Sequence, residues 1–151
     1  MEQMVVFTLD ELNYALPLNL VIRVIHAVEI RKLPKAPEII CGIINVAGQI
    51  IPVVDVRKRF GLPVREMIPD DELIIADTGT RTVALLIDHV NGVRQISPGQ
   101  QIQTKETLPY AGYIKGVIKL EEELILIYDL EQFLSLNEEA ELEQALIKKT
   151  L

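Results

Sequence analysis

Tryptophan is absent from the 151 residues, and only four Tyr and three Phe supply aromatic rings. The apolar content therefore rests on Ile, Val and Leu, whose branched members favour strands. The single cysteine, Cys41, excludes an internal disulfide and suits a reducing compartment. Long hydrophobic runs are also missing: "GIINVAGQIIPVV" and "ELILIY" fall short of the ~20 residues that span a bilayer. The opening "MEQMVVFTLDE" lacks the basic start of a signal peptide. A cytoplasmic location with no membrane insertion is the expectation. With 49% hydrophobic residues the chain can bury a real core, as one domain or two small fused halves.

Reactive constellations are equally scarce. No GxxxxGK[ST], GxGxxG or HExxH motif occurs. His26 and His89 lie far apart, each without neighbours at metal-ligand spacing. Cys41, beside Gly42 in an apolar context, reads as a small buried hydrophobe. The run Glu121-Glu122-Glu123 reads as a solvated hairpin tip. No catalytic residue, metal site or cofactor is expected, which argues against an enzyme.

Charge narrows the partners. The net charge is −7. Residues 1–69 carry eight Lys/Arg and seven Asp/Glu, whereas residues 70–151 carry seven and fifteen. Such a chain repels a phosphate backbone, so no nucleic acid partner is expected. The only dense basic spot, Arg57-Lys58-Arg59, is either a solvated helix face or a contact patch for an acidic surface.

What is present is a set of short strands in a repeated plan. "MVVFTL" and "NYALPL" flank Asp10-Glu11-Leu12, and "ELIIAD" and "TVALLID" flank "TGTR". Each pair reads as a hairpin. A second hairpin type joins "GIINV" to "QIIPVVD" through Ala47-Gly48, and "GVIKL" to "LILIYD" through the glutamates. Both end in an aspartate, Asp55 or Asp129, before an amphipathic segment, the signature of a helix N-cap. Val5, Val6, Ala15 and Leu16 recur 69 residues later as Ile74, Ile75, Ala84 and Leu85. Gly42, Ile44, Ile51 and Asp55 recur at an offset of 74 as Gly116, Ile118, Ile125 and Asp129. Two similar β units follow, each most economically a small barrel. Packing side by side would bury strands on both faces, which accounts for their weak alternation. Pro52 marks an edge or irregular strand. The tail from Leu136 reads as a helix with Asn137 as its cap and Leu142 and Leu146 on one stripe.

"FTLDELNYALPLNLVIRVI", "LPKAPEIICGIINVAGQIIPVVDVRKRFGL" and "VALLIDHVNGV" together resemble the bacterial chemotaxis coupling protein CheW family, over about residues 4–135. The same domain type closes the histidine kinase CheA. The resemblance implies a single mostly β domain over 1–151. It would hold two small five-stranded, SH3-like β-barrels side by side, with short helices and a C-terminal helix. The subdomains would run over about 14–82 and 83–136, with strand 3–9 available to the second barrel and the helix over 137–151. It further implies a non-catalytic adaptor of chemotaxis signal transduction. Its partners would be the regulatory domain of CheA and the cytoplasmic tips of methyl-accepting chemoreceptors. A CheW-like adaptor of another chemosensory-type pathway, in pilus motility or gene regulation, is the alternative. Receptor tips dock in the groove between the barrels in this family, and kinase contact uses mainly an end of the first barrel. By position the groove residues here are Val21, Arg23, Val24, Gly42, Asn45, Val46, Ala47 and Gly48.

The chain departs from the family at two of these. The family's turn arginine is Ala47 here, and the glutamate that can pair with it is Arg23. Losing both partners avoids a stranded charge. Arg23 then either fills part of the missing arginine's space and faces a partner, or points to solvent.

Overall fold

A computed structural model describes residues 2–97, 99, 101–102, 114–120 and 123–150. The first strands are β1 (Glu2–Leu9) and β2 (Leu12–Pro17), followed through a 3-10 turn at Leu18–Leu20 by β3 (Val21–His26). Then come β4 (Ile40–Val46), β5 (Gln49–Asp55) and the short helix α1 (Val56–Arg59). The next strands are β6 (Glu72–Asp77), β7 (Thr82–Ile87), β8 (His89–Ile96) and the two-residue β9 (Gln101–Ile102). The chain closes with β10 (Ile114–Leu120), β11 (Glu123–Tyr128), a 3-10 turn at Leu130–Gln132 and the helix α2 (Leu136–Thr150). The architecture is mostly β, as two packed SH3-like units. One sheet has the order β3-β6-β7-β5-β4, the other β8-β1-β2-β11-β10-β9. Neither ladder closes into a ring among the described residues.

The hairpins form where the turn residues allow. Asp10 and Glu11 both take positive φ, 49° and 68°, so β1 and β2 meet through a two-residue turn whose twist matches the strands. Leu12 opens β2 and is not part of the turn. The boundary between the units differs from the expected 14–82 and 83–136. β2 pairs with β1 and, in parallel, with β11, so it belongs to the six-stranded sheet. β7 pairs with β6 and β5 and stays in the five-stranded one. Strand β1 also lies in the six-stranded sheet, between β8 and β2.

Three apolar clusters account for burial on both faces. Ile44, Ile51, Val53, Leu73, Ile75 and Ala84 fill the five-stranded unit. Met4, Val6, Ala15, Ile118, Ile125 and Ile127 fill the other. The largest cluster lies between them and draws on alternate residues of the same strands, among them Leu16, Val54, Ile74, Leu85 and Tyr128. Phe7, Tyr14, Phe60, Tyr128 and Phe133 form its aromatic centre, with Phe60 stacked on Tyr128 at 3.9 Å. The Tyr128 hydroxyl is buried beside that of Tyr14, and burial first, then its Tyr14 neighbour, pushes its pKa well above the usual tyrosine value.

Pro52 is not on an edge. It sits in β5, between β4 and β7 in the sheet order, opposite Ile43. The position tolerates proline because the Ile43 amide donates to the Arg31 carbonyl at 2.7 Å, and its own carbonyl accepts from the Arg31 amide at 3.0 Å. Asp55 caps α1 by accepting from the Lys58 amide. Asp129 makes no such side-chain bond and precedes only a 3-10 turn. Helix α2 is capped by Ser135 and not by Asn137: the Ser135 hydroxyl accepts from the Glu138 amide and the Glu138 carboxylate accepts from the Ser135 amide. That reciprocal pair is a capping box. Residue 151 and the glutamates 121 and 122 lie outside the described residues.

Candidate functional site

Five of the eight expected site residues lie on the β4–β5 hairpin. Gly42 is buried, and the reason is a close approach: a Cβ built there would stand 2.2 Å from the Arg31 carbonyl oxygen. Only glycine lets the segment through Arg31 pair with Ile43. Val46 is half-buried against the interior of the five-stranded unit. Ala47 and Gly48 form the tip, exposed, with φ of 50° and 86°. The Asn45 side chain accepts from the Gly48 amide at 2.9 Å and holds the turn closed. Ala47 therefore occupies a left-handed conformation that β-carbon sterics disfavour.

The other three lie on β3, at the opposite end of the same strand order. A bulge between Val21 and Arg23 turns successive side chains to different faces. Val21 is half-buried against the cluster between the units, and Val24 stands opposite Ile74 of that cluster. Arg23 stands opposite Ile75, on the face that holds the interior of the five-stranded unit. It is exposed and makes no hydrogen bond or ion pair among the described residues. The expected pairing space of Arg23 and the hairpin tip is thus not joined by any polar contact.

Apolar side chains that the sequence did not single out surround these positions. Ile22, Val28 and Ile50 are exposed by 57%, 41% and 44%. Val28, Glu29, Arg31, Asn45 and Ile50 line a cleft of about 420 Å³, with Ile43 and Ile44 also in its lining. Ile22 lies at the β3 bulge and Arg31 in the bridge to Ile43, two irregularities that a strand pattern does not reveal. A cleft lined this way can hold an apolar side chain under a polar rim. Its charged lining residues are Glu29 and Arg31, one of each sign. Among the described residues no three His, Cys, Asp or Glu side chains are placed to hold a metal ion. Burial pushes the Cys41 thiol up to about 11, helped by the Asp55 charge, so the thiolate is disfavoured.

The basic triplet is neither a solvated face nor an open patch. Arg57 is buried and donates to Asp10 at 2.6 Å and to Asp88 at 2.7 Å. Asp10 lies in the β1–β2 turn and Asp88 between β7 and β8, so Arg57 clasps the two units. Arg65 extends the network to Asp88 and Asp71. Burial works to raise the Asp88 carboxyl. Hydrogen bonds from Arg57 and the Asp10 amide, with the charges of Arg57 and Arg65, outweigh it and hold the pKa below the usual range. Arg59 pairs with Glu138 of α2 at 2.6 Å. Lys58 alone is exposed, and it donates to the Glu38 carbonyl.

The CheW-like domain model matches residues 3–138. The chain belongs to the CheW-like domain family. The chemotaxis protein CheW of Thermotoga maritima is 30% identical over 128 residues, 85% of this chain and 84% of that one. The chemotaxis protein CheW of Klebsiella aerogenes is 26% identical, covering 92% and 85%. The protein FrzA of Myxococcus xanthus is 27% identical over 90 residues, 60% of this chain and 56% of its own length. Among solved structures, the scaffolding protein TtCheW from Thermoanaerobacter tengcongensis superimposes with a TM-score of 0.84 at 33% identity. That match covers 91% of this chain and 94% of the other. The CheW-like fold thus accounts for both units, and α2 runs beyond the end of the family model. No helix among the described residues is long and apolar enough to cross a membrane.

Proposed function

We propose that this chain is a non-catalytic adaptor of bacterial chemotaxis signalling, holding chemoreceptor cytoplasmic tips and the regulatory domain of the histidine kinase CheA in fixed geometry. The carrying observation is the superposition on a scaffolding protein over nearly the whole of both chains. An adaptor works by presenting surfaces, and the chain has exposed apolar side chains where a site of chemistry would need converging titratable groups. Its place of work is the cytoplasm, beside the receptor array. The receptor-facing surface is assigned to Val21, Arg23 and Val24 on β3 and to the hairpin residues Gly42, Asn45, Val46, Ala47 and Gly48. Gly42 acts there through the backbone, by fixing the hairpin. Arg23, unpaired and exposed, meets an acidic or carbonyl-rich partner surface.

The test is co-sedimentation with the CheA regulatory domain and the receptor tips encoded in the same genome. Binding to both is expected. Failure against every such pair overturns the reading. The double substitution Ala47→Arg with Arg23→Glu is expected to shift receptor-tip affinity by about tenfold, equivalent to roughly 1.4 kcal/mol. An unchanged affinity removes this turn and strand from the docking surface.

A second reading is the same adaptor role in a different chemosensory-type pathway, in pilus motility or gene regulation. The likeness to FrzA and the changed pair at Ala47 and Arg23 favour keeping it. Its expected signature is binding to a kinase and receptor of that pathway and to no chemotaxis pair.

A further inference from the structure

Helix α2 follows β11 of the six-stranded sheet, yet its polar contacts are made with the other unit. Glu138 accepts from Arg59 at 2.6 and 2.7 Å. Glu139 accepts from Arg81 at 2.8 Å, and Glu143 from the same guanidinium at 3.0 Å. Arg59 belongs to α1 and Arg81 to the β6–β7 turn, both in the five-stranded unit. The two arginine side chains are only 12% and 16% exposed. Along the helix, Glu138, Leu142 and Ala145 lie on one stripe at i, i+4, i+7, and Glu139, Glu143 and Leu146 on the next. Leu142 and Ala145 are fully buried in the cluster between the units, and Leu146 packs against it. The remaining face, with Glu141, Gln144 and Ile147, is exposed.

These contacts define what the underlying surface selects: a short amphipathic helix with carboxylates placed against two sheltered arginines and small-to-medium apolar side chains over the seam. Nearly all of α2 lies past residue 138, where the family model ends. It follows the short segment after Tyr128 and docks by two adjacent stripes, with Leu142 and Ala145 its buried side chains. Elements held by few buried side chains open locally ahead of a β core. We propose that α2 is the resident occupant of a docking groove for an acidic amphipathic helix, and that it blocks the groove until a partner helix of the same chemistry displaces it. Arg59 and Arg81 supply the complementary charges, so the occupant is an acidic helix and not a basic or wholly apolar one.

The test uses the full chain and a fluorescent peptide, LNEEAELEQALIKKT, with the sequence of α2 itself. In Glu138→Gln/Glu139→Gln/Leu142→Ala the resident helix loses its grip while glutamine preserves the capping box. This variant is expected to bind the peptide at least tenfold more tightly than the wild type. Adding Arg59→Gln and Arg81→Gln is expected to abolish the gain. A triple variant that binds no better than wild type overturns the proposal, as does a gain that survives loss of both arginines. Hydrogen exchange on the same proteins supplies the second reading. Amides of α2 are expected to exchange at least tenfold faster than those of β6 and β7 in the wild type, and faster still in the variant with β6 and β7 unchanged. Exchange of α2 together with β6 and β7 in one step overturns it. Where the triple variant weakens β6 and β7, the milder Glu139→Gln/Glu143→Gln is judged by the same two readouts.

Discussion

One terminal nitrogen of Arg57 donates to both carboxylate oxygens of Asp88, at 2.7 and 2.9 Å, while the other reaches Asp10. Arg57 is buried in the five-stranded unit and Asp88 sits where the chain leaves it for the other sheet. The fork geometry suits guanidinium and not ammonium. Arg57→Ala leaves Asp10 without its ion-pair partner and Asp88 with Arg65 alone. The expected loss is about 3 kcal/mol by urea unfolding at pH 7, and Arg57→Lys should recover less than half of it. A loss within 0.5 kcal/mol, about what an ordinary surface change produces, would mean that the clasp contributes nothing.

Acid should open the same contacts. Asp88 and Glu138 both have pKa values held below the usual carboxylate range, in each case against the pull of burial and chiefly by arginine hydrogen bonds. A carboxyl depressed on folding adds stability that is fully present above its unfolded pKa, about 4, and is lost as pH falls through the lower folded value. The urea midpoint is therefore expected to decline below about pH 4. Asp88→Asn and Glu138→Gln should each be less stable than wild type at pH 7 and show a flatter acid limb. Acid limbs parallel to wild type in both variants would contradict this.

The hairpin tip offers a stabilising change. Ala47 holds φ at 50°, where asparagine and glycine are at ease and alanine is not. Ala47→Asn is expected to raise stability by about 0.5–1 kcal/mol without altering the β4–β5 register. Thermal denaturation checks it, and a lowered midpoint would show that the exposed methyl packs on something.

Gly42 should tolerate nothing larger. The Arg31 carbonyl oxygen at 2.2 Å from a built Cβ is backbone and has no side-chain freedom with which to move. Gly42→Ala is expected to break the Arg31–Ile43 bridge and cost about 2–4 kcal/mol. Amide exchange at Ile43, whose N–H is bonded to Arg31, should rise in step.

Much of the local structure could be read from the residues, and the reasons are local. Asp55 before an amphipathic segment is a helix start whatever surrounds it, and the structure has it capping α1. The repeated apolar pattern reflects strands buried on both faces, as Val53 and Val54 show by entering different clusters. Ser135, three residues before Glu138, was as available to a reader as Asn137, and only the start of the helix decides between them. The partners of Arg57 were not legible, because Asp10 and Asp88 come from distant turns and a charge run carries no record of them. The membership of β2 was hidden for the same reason: its pairing with β11 is non-local, and strand pattern fixes a face but not a neighbour. For the candidate docking residues, sequence supplied their positions. The β3 bulge then divided Val21 from Arg23, which strict alternation would have put on one face.

The pairing of Tyr14 with Leu126 has a consequence for how the molecule is made. On a ribosome the β1–β2 hairpin emerges before the five-stranded sheet, and its β11 neighbour after it. The five-stranded sheet, whose members run from Val21 to Ile87, can assemble while synthesis continues. The earlier hairpin meanwhile carries Phe7, Tyr14 and Leu16 with no finished sheet to shelter them. The order of completion is therefore inverted, middle first and ends last. The nascent chain spends that interval with its most aromatic strands exposed, the period in which a chaperone or an aggregation partner would find them.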